Sequence, residues 1–314
     1  MSQLQIIEGL PAIPARPTDG HKGTFGTVMV VGGSATDRYM LGGPCFAAMG
    51  ALRAGCGLAV LAVPEGLLTA ALGIVPEATG FALSCTDEGA LQANAGAQLT
   101  EILQEAKPHA LVVGPGLGFS QGVGDLARVA AALDTMPRVF DADQLNTMAR
   151  QEITSVRGPV ILTPHPGEWN TLARAMGIEG DPIDDATRPD AAAALARALD
   201  AGGGPVVVVL KGARTVVSDG ERVWRSDAAE SVLAVGGSGD VLGGVIGGLL
   251  AQWHPRNGEA ARSDRRDAFE LACLGVAIHA RAGALWAAKH GQAGMLAREL
   301  AAEIATARHE HTGC

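Results

Sequence analysis

The chain has 314 residues and a formal net charge of −9, and 47% of its residues are hydrophobic but only 4% aromatic. One large α/β domain fits this length, and the low aromatic content leaves Ala, Val, Leu and Ile to build a core of the kind that covers a parallel sheet on both faces. The acidic balance argues against nucleic-acid binding, which usually needs a basic face.

Targeting and redox signals point to the cytoplasm. The N-terminus lacks the charged and then apolar pattern of a signal peptide, and the most apolar stretch, 228–252, is interrupted by Glu230, Asp240 and many glycines, so we expect no membrane association. The five cysteines form no C-x-x-C pair, which indicates reduced thiols in a cytoplasmic protein.

Short apolar segments predict the strands of the sheet in chain order. The six segments are Thr27–Val31, 58–63, Ala110–Val113, Arg138–Phe140, Val160–Leu162 and Val206–Leu210. Helical patterns fill most of the gaps between them, beginning with 43–54, so the alternation predicts right-handed βαβ units and a parallel sheet. Glycine and polar residues follow strand after strand, at the edge where open α/β sheets bind their ligands.

The C-terminal part is predicted to be mainly helical over 267–308. We expect the charged segment 254–267 to be an exposed loop between helices and 309–314 to be a flexible tail. We also expect residues 1–314 to form a single domain, with 1–20 as an N-terminal extension, and the Ala-rich terminal helices could pack between subunits of a homo-oligomer.

The sharpest motif is the segment 236–242, Gly-Gly-Ser-Gly-Asp-Val-Leu, which opens an apolar helix. Small residues let backbone N–H groups turn toward a ligand, and the helix adds its positive end, so Gly237, Ser238 and Gly239 predict a phosphate site. An aspartate at this position either stabilises the helix end or accepts a hydroxyl proton during phosphoryl transfer. We favour the second role for Asp240, because a plain helix start does not need four small residues before it.

A second motif, Thr-Pro-His-Pro-Gly-Glu at 163–168, follows a strand and opens a helix. His165 could hydrogen-bond a substrate, and Glu168 could hold Mg²⁺ through water. A proline-rich turn with a glutamate in the first helical turn explains the same residues, and the segment alone does not decide between them.

Other strand ends carry further candidates. Lys211 could meet a nucleotide phosphate or lie in a solvated hairpin, and the glycines of 114–118 permit close approach to a ligand or form a tight turn. Asp141 and Asp143 could support a metal or cap the next helix; we favour capping for Asp143 and leave Asp141 open. The chain contains no Walker A sequence and no G-x-G-x-x-G fingerprint.

The ordered set of motifs resembles the ADP- or ATP-dependent NAD(P)H-hydrate dehydratases, which have a ribokinase-like fold. The segments that carry the resemblance are 21–26 (His-Lys-Gly-Thr-Phe-Gly), 32–34, 51–55, 114–118, 141–146, 163–168, 211–212 and 236–242. Each is weak alone, but together they follow the family's order over about residues 20–305. The resemblance implies a three-layer α/β/α sandwich.

The resemblance also implies a reaction and a site. The family restores hydrated NADH or NADPH by phosphorylating the ring hydroxyl with ADP or ATP, in the presence of Mg²⁺, and then eliminating phosphate. It implies Asp240 as the catalytic base and Glu168 as the metal ligand. Hydrate contacts are implied for Gly43, Gly116, Gly118, His165 and Asp240, and nucleotide contacts for Lys211, Gly212, Ala213, Arg214, Thr215, Gly237, Ser238 and Gly239.

One position and one segment depart from the family pattern, and two other functions stay open. Gly43 stands where the family has Ala, and 229–235 (Ala-Glu-Ser-Val-Leu-Ala-Val) replaces a segment close to Gly-Asn-Pro-Gly-Met-Ala-Thr. Many relatives also carry a fused epimerase domain, which we do not expect here. The alternatives are a ribokinase-like kinase of a small vitamin-precursor alcohol, against which His165 argues, and a non-catalytic nucleotide-binding regulator. The sequence leaves ADP against ATP, and NADH against NADPH hydrate, undecided.

Overall fold

The computed structural model describes residues 4–36, 38–202, 204–255 and 265–312. Twelve strands lie in the described part of the chain: β1 (Gln5–Ile6), β2 (Thr27–Val31), β3 (Ser34–Ala35), β4 (Tyr39–Met40), β5 (Leu58–Pro64), β6 (Thr79–Leu83), β7 (Ala110–Val113), β8 (Arg138–Phe140), β9 (Val160–Leu162), β10 (Val206–Leu210), β11 (Val216–Ser218) and β12 (Arg222–Arg225). All six predicted strands are present within one residue at either end.

Ten α-helices alternate with these strands: α1 (Gly42–Arg53), α2 (Leu68–Ile74), α3 (Ala95–Ala106), α4 (Gln121–Ala132), α5 (Asp143–Arg150), α6 (Pro166–Met176), α7 (Arg188–Leu199), α8 (Ser238–Trp253), α9 (Ala268–His290) and α10 (Ala297–Glu310). Three short 3₁₀ turns complete the described elements, at Lys22–Phe25, Glu65–Leu67 and Ser231–Leu233. The helical C-terminal part is therefore confirmed.

Ten of the strands form one sheet in the order β1-β12-β11-β10-β9-β8-β7-β2-β5-β6. Among these described strands β11 is antiparallel to both of its neighbours, and the remaining pairs are parallel. The chain starts the parallel part at β2, adds β5 and β6 on one side, and then returns to place β7 on the other. The β2–β7 boundary is thus a topological switch point, where α/β sheets open a crevice at their carboxyl edge.

Helices cover both faces of the sheet, which confirms the predicted three-layer sandwich. Alternate residues of β2 enter different cores: Val28 and Val30 pack with α1, α2, α8, α9 and α10, whereas Met29 and Val31 pack with the layer of α3 to α7. Helices α1 and α8 approach so closely at Gly244 that a side chain at this position would overlap the Ala47 carbonyl oxygen. This contact fixes α8 against the sheet.

Helix α9 is long and apolar enough, by length and composition, to cross a membrane. In the structure, however, 72% of its apolar window is buried against the rest of the protein, as in a core helix. Its first turn is set locally, because the side chain of Asp267 accepts a hydrogen bond from the Glu270 N–H and that of Glu270 accepts one from the Asp267 N–H.

The C-terminal segment differs from the prediction of a flexible tail over 309–314. Helix α10 continues through Glu310, the His311 carbonyl oxygen accepts a hydrogen bond from the Ile13 N–H at 2.9 Å, and Thr312 bridges Ile13. Docking against the buried Ile13 holds this end in place, and 313–314 lie outside the described residues. Most of the predicted 254–267 loop, residues 256–264, also lies outside them.

Candidate active site

The N-terminus of α8 lies within the segment 236–242, where the sequence predicts a phosphate site. Gly237 precedes the helix in the left-handed conformation (φ 90°), and a side chain there would stand 2.7 Å from the Phe46 ring. Among the described residues, no side chain caps this end, and the N–H groups of Gly239 and Asp240 have no hydrogen-bond acceptor. Two unpaired N–H groups and the helix dipole therefore favour an anion at this position.

Lys211 lies among three carboxylates from separate parts of the chain, those of Asp141, Glu168 and Asp240. Its Nζ is 2.8 Å from Asp141 Oδ1 after β8 and 3.7 Å from Glu168 Oε2 on α6. Burial alone would lower the pKa of Lys211, but Asp141 and Glu168 outweigh burial and raise this pKa above its ordinary value. The raised pKa favours the charged form of Lys211, and its Nζ is 3.4 Å from the position of a Cβ at Gly239.

Asp240 lies beside this group, in the first turn of α8. Burial, and next the Asp141 carboxylate, raise the pKa of Asp240 to about 7, although Lys211 acts in the opposite direction. A carboxyl group with a pKa close to neutrality is well matched to general-base catalysis, because it is partly ionised and still basic enough to take a proton. Asp141, which the sequence left open, thereby tunes this carboxyl group.

His165 and Glu168 form a reciprocal cap at the start of α6. His165 Nδ1 accepts hydrogen bonds from the Gly167 and Glu168 N–H groups at 3.0 and 3.3 Å, and Glu168 Oε2 accepts one from the His165 N–H at 2.8 Å. Since Nδ1 acts as an acceptor, the neutral ring carries its proton on Nε2, which lies 3.5 Å from Glu168 Oε1. Burial raises the pKa of Glu168, against the effect of Lys211.

The glycine loops after β2 and β7 meet at the switch point. The Gly33 N–H donates to the Pro115 carbonyl oxygen at 2.9 Å, and a Cβ at Gly43 would lie 3.1 Å from both Asp240 Oδ1 and Pro115 Cβ. Gly43 therefore borders Asp240 directly. Gly116 and Gly118 have positive φ angles and lie against the β3–β4 segment rather than against Asp240.

The predicted capping role of Asp143 is wrong. Helix α5 begins at Asp143 itself, after Ala142, whose φ is 49° and whose side chain makes no cap. The Asp143 carboxylate instead accepts a hydrogen bond from the Gly118 N–H at 2.8 Å and so anchors the glycine loop after β7. The role changes because the parallel pairing of β7 with β8 brings the two strand ends together.

A cavity of about 550 Å³ opens beside Lys211 and Gly239. Its wall includes the predicted residues His165, Lys211, Gly212, Ala213, Thr215, Ser238 and Gly239. It also includes residues that the sequence did not indicate as site residues: Ser226, Ala228, Ala229, Glu230, Ser231, Leu233, Ala234, Val235, Leu242, Val276, His279 and Ala280. The atypical segment 229–235 thus forms one side of the cavity.

His279 contributes a buried polar group to this cavity from the middle of α9. Its Nε2 lies 2.9 Å from the Ser238 carbonyl oxygen and 3.1 Å from Ser238 Oγ, and burial lowers the pKa of His279 to about 4. The neutral ring therefore holds the first residue of α8. The signal in the sequence was a single histidine within a long apolar helical pattern, which more often marks an ordinary core residue.

The motif 21–26 does not join the site. It forms a 3₁₀ turn capped by His21 at the amino end of β2, on the edge of the sheet opposite Asp240. The motif at 51–55 ends α1 on the same far side, next to β5.

The fold is ribokinase-like, and comparisons with known proteins give the family of the chain. Residues 28–306 match the model of a family described as NAD(P)H-hydrate dehydratase. The chain belongs to this family, which confirms the resemblance carried by its motifs.

The relatives agree with this assignment. The chain is 37% identical, over 92% of its length, to a bifunctional NAD(P)H-hydrate repair enzyme of Moorella thermoacetica, of which it covers 50%. It is 36% identical, over 91% of its length, to an ADP-dependent (S)-NAD(P)H-hydrate dehydratase of Neisseria meningitidis, of which it covers 86%. The chain spans about half the length of the first three relatives of the bifunctional type.

Solved structures give the same picture. The ADP/ATP-dependent NAD(P)H-hydrate dehydratase of Bacillus subtilis, co-crystallised with ATP and Mg²⁺, superposes with a TM-score of 0.72 at 28% identity, covering 96% of this chain and 95% of that one. A ribokinase of Cryptococcus neoformans in complex with ADP shares the fold, with a TM-score of 0.53 at 13% identity and coverages of 91% and 99%.

Proposed function

We propose that this chain restores hydrated NADH or NADPH by dehydration, using ADP or ATP as phosphoryl donor. The observation that carries the proposal is the position of Asp240: a carboxyl group with a pKa of about 7 lies in the first turn of α8, directly after Gly239, which lines the same cavity as Lys211. The N–H groups of Gly239 and Asp240 are unpaired among the described residues. Family membership supports the same reaction.

The proposed first step is phosphoryl transfer. Asp240 takes the proton of the ring hydroxyl while the hydroxyl oxygen forms a bond to the terminal phosphorus of the nucleotide. The bridging P–O bond breaks and releases AMP from ADP, or ADP from ATP. Gly239 and Asp240 offer their N–H groups to the transferred phosphoryl group, and Lys211 balances its charge. The N–H groups of Gly212 and Ala213, which line the same cavity, would meet the remaining phosphates.

The second step restores the nicotinamide ring. The C–O bond to the phosphate ester breaks, and its electron pair leaves with inorganic phosphate. The neighbouring ring carbon loses a proton to the departing phosphate, and the electron pair of that C–H bond forms the ring double bond. Phosphorylation is needed because hydroxide is a poor leaving group and phosphate a good one. Gly43, which borders Asp240, and the Gly116 and Gly118 loop would face the hydrate, with His165 at the rim of the cavity.

A magnesium ion fits the carboxylates that are present. Within the described residues no three His, Cys, Asp or Glu side chains form a metal cluster, but Mg²⁺ bound to nucleotides usually takes one or two carboxylates and completes its shell with phosphate and water. Glu168, with Asp141 nearby, would supply these oxygens. When bound, the ion neutralises phosphate charge; Glu168 also shapes the start of α6 without it.

The experiment that tests the proposal uses absorbance of the reduced nicotinamide. Hydrated NADH or NADPH is incubated with Mg²⁺ and either ADP or ATP, with Asp240→Asn as the matched control. Recovery of absorbance with release of inorganic phosphate supports the dehydratase. Phosphorylation of a vitamin-precursor alcohol without such recovery supports a kinase, and nucleotide binding without either reaction supports a regulator.

We also propose that the protein acts in the cytoplasm. Supporting this, Cys45, Cys56, Cys85 and Cys273 are all unpaired thiols in the structure. Fractionation of the native cells, with detection of the protein, tests the location.

A further inference from the structure

Arg188, the first residue of α7, is buried in an unusual position. Only 4% of its surface is exposed, although a helix N-terminus carries a partial positive charge and favours acidic side chains. The stability of α7 therefore does not account for an arginine here. The explanation lies in the groups that its guanidinium contacts.

The guanidinium of Arg188 binds the backbone of the hairpin between β10 and β11. Nη2 donates to the carbonyl oxygens of Leu210 and Lys211 at 2.9 and 3.1 Å, and Nη1 donates to those of Ala213 and Arg214 at 2.8 and 3.4 Å. One side chain thus collects four carbonyl groups from five consecutive residues.

The two remaining carbonyl groups of this hairpin are also paired. The Gly212 oxygen accepts from Thr215 Oγ1 at 3.1 Å, and the Thr215 oxygen accepts from the Ser226 N–H at 2.9 Å. The N–H groups of Gly212 and Ala213, in contrast, have no acceptor among the described residues, and both residues are exposed and line the cavity. The carbonyl oxygens of the hairpin are therefore all paired with protein donors, as are the N–H groups of Lys211 and Arg214, whereas the N–H groups of Gly212 and Ala213 stay unpaired beside the cavity.

Two further features show that the hairpin is shaped around this guanidinium. A Cβ at Gly212 would lie 2.7 Å from Arg188 Nη2, so the backbone passes directly over it. Arg214 adopts a left-handed conformation (φ 56°), and its side chain binds Asp185 Oδ2 at 2.7 Å, while Asp185 Oδ1 lies 3.8 Å from Arg188 Nη1. Such a backbone persists when several contacts hold it.

We infer that Arg188 is a positioning residue for nucleotide binding: by collecting the hairpin carbonyls, it presents the Gly212 and Ala213 N–H groups and Lys211 to the phosphates. This role rests on the proposed nucleotide site. Arg188 contacts no phosphate itself, because the hairpin lies between it and the cavity. Its planar guanidinium offers five donors, and the ammonium of a lysine cannot replace this fork.

The test compares Arg188→Lys with Arg138→Lys by calorimetric titration with Mg·ADP. Arg138 is a matched control, because it is fully buried and donates to two backbone carbonyls, those of Met136 and Arg157. It begins β8 and so lies at the amino ends of the strands, opposite the cavity. We expect Arg188→Lys to weaken ADP binding by about 10-fold or more, the effect of displacing one charge-assisted hydrogen bond, and Arg138→Lys to leave it within about 2-fold.

Steady-state kinetics separate positioning from general damage. Arg188→Lys should raise KM for ADP while KM for the hydrate stays unchanged, and both lysine variants should lower Tm. Gly212→Ala, which pushes on the guanidinium from the hairpin side, should weaken ADP binding similarly, and the double variant should add little. If Arg188→Lys does not fold, the Gly212→Ala variant still tests the inference.

Two results in the variants would overturn the inference. One is wild-type ADP affinity in a folded Arg188→Lys variant; the other is equal loss of affinity in both lysine variants, which would mean a general effect of buried arginine loss. Since ADP binding is measured without hydrate, the absence of dehydratase activity leaves this test intact. If the wild-type protein binds no ADP, the proposed nucleotide site fails, and the role of Arg188 fails with it.

Discussion

Replacing Asp240 by Asn should separate the catalytic value of this carboxyl group from its cost in stability. The amide fills nearly the same space but cannot accept the hydroxyl proton, so kcat should fall by about 10²- to 10⁴-fold. ADP affinity should hold or improve, since the variant removes a negative charge from beside the phosphates. A variant within a few-fold of the wild-type kcat would remove Asp240 from the mechanism.

The magnitude of the stability effect follows from the pKa of Asp240. Burial and Asp141 raise it from 3.8 to about 7, and a displacement of this size corresponds to about 4 kcal/mol at most. Since the folded-state pKa lies above the unfolded one, the folded state binds more protons, and the contribution is fully present below pH 3.8. It is lost as pH rises through about 7.

Asp240→Asn should therefore unfold at a higher denaturant concentration than the wild type at pH 8, and the difference should vanish near pH 4. Urea unfolding at pH 4, 6 and 8 measures this trend, and kcat/KM of the wild type should rise with a midpoint near pH 7 as the base ionises. Equal stability of the two proteins at pH 8 would refute the assignment of a raised pKa to this carboxyl group.

Three further perturbations test the surroundings of the site. His165→Ala removes the α6 cap and should lower the free energy of unfolding, measured in urea, by about 1 kcal/mol. His165→Asn keeps a capping oxygen and should lower it by less than half of that amount. Equal losses in the two variants would rule out a capping role. Gly237→Ala should lower Tm and abolish ADP binding, because Gly237 has a φ of 90° and a side chain there would meet the Phe46 ring. Gly239→Val should abolish ADP binding with a nearly native Tm, because position 239 is helical and its Cβ would lie 3.4 Å from Lys211 Nζ. Tight ADP binding by the valine variant would show that the phosphate binds elsewhere. Burial lowers the pKa of His279 from 6.5 to about 4, so its contribution to the free energy of unfolding is fully present above pH 6.5, and about 3 kcal/mol is lost as pH falls to 4. His279→Gln should therefore make the free energy of unfolding depend less on pH in this range. An unchanged pH dependence would show that other groups cause the acid sensitivity.

The sequence by itself determined the parts of this protein that depend on short-range patterns. A segment of five residues rich in valine is enough to predict β2 or β10, and the small residues of 236–239 predict the start of a helix before Asp240. Both signals are local, because strand patterns and helix ends depend on only a few neighbouring residues. The family resemblance came from the same kind of local segment, read in order along the chain.

The short strands β11 and β12 and the strand β6 escaped prediction. Each is three to five residues long, and β6 carries Thr and Gly at positions where a buried strand would show Val or Ile. Their pairing in the sheet, rather than their own propensity, makes them strands, since β structure depends strongly on its neighbours.

Only the tertiary structure decided how the site is assembled. Lys211 reaches Asp141 across 70 positions of sequence, because the parallel order β8-β9-β10 brings the ends of these strands to one edge. The same packing gives Asp143 a loop to anchor rather than a helix to cap, and places Arg188 beneath the hairpin. Such contacts depend on strand order and register, which no local segment specifies, so the chemistry of these side chains follows from the fold as a whole.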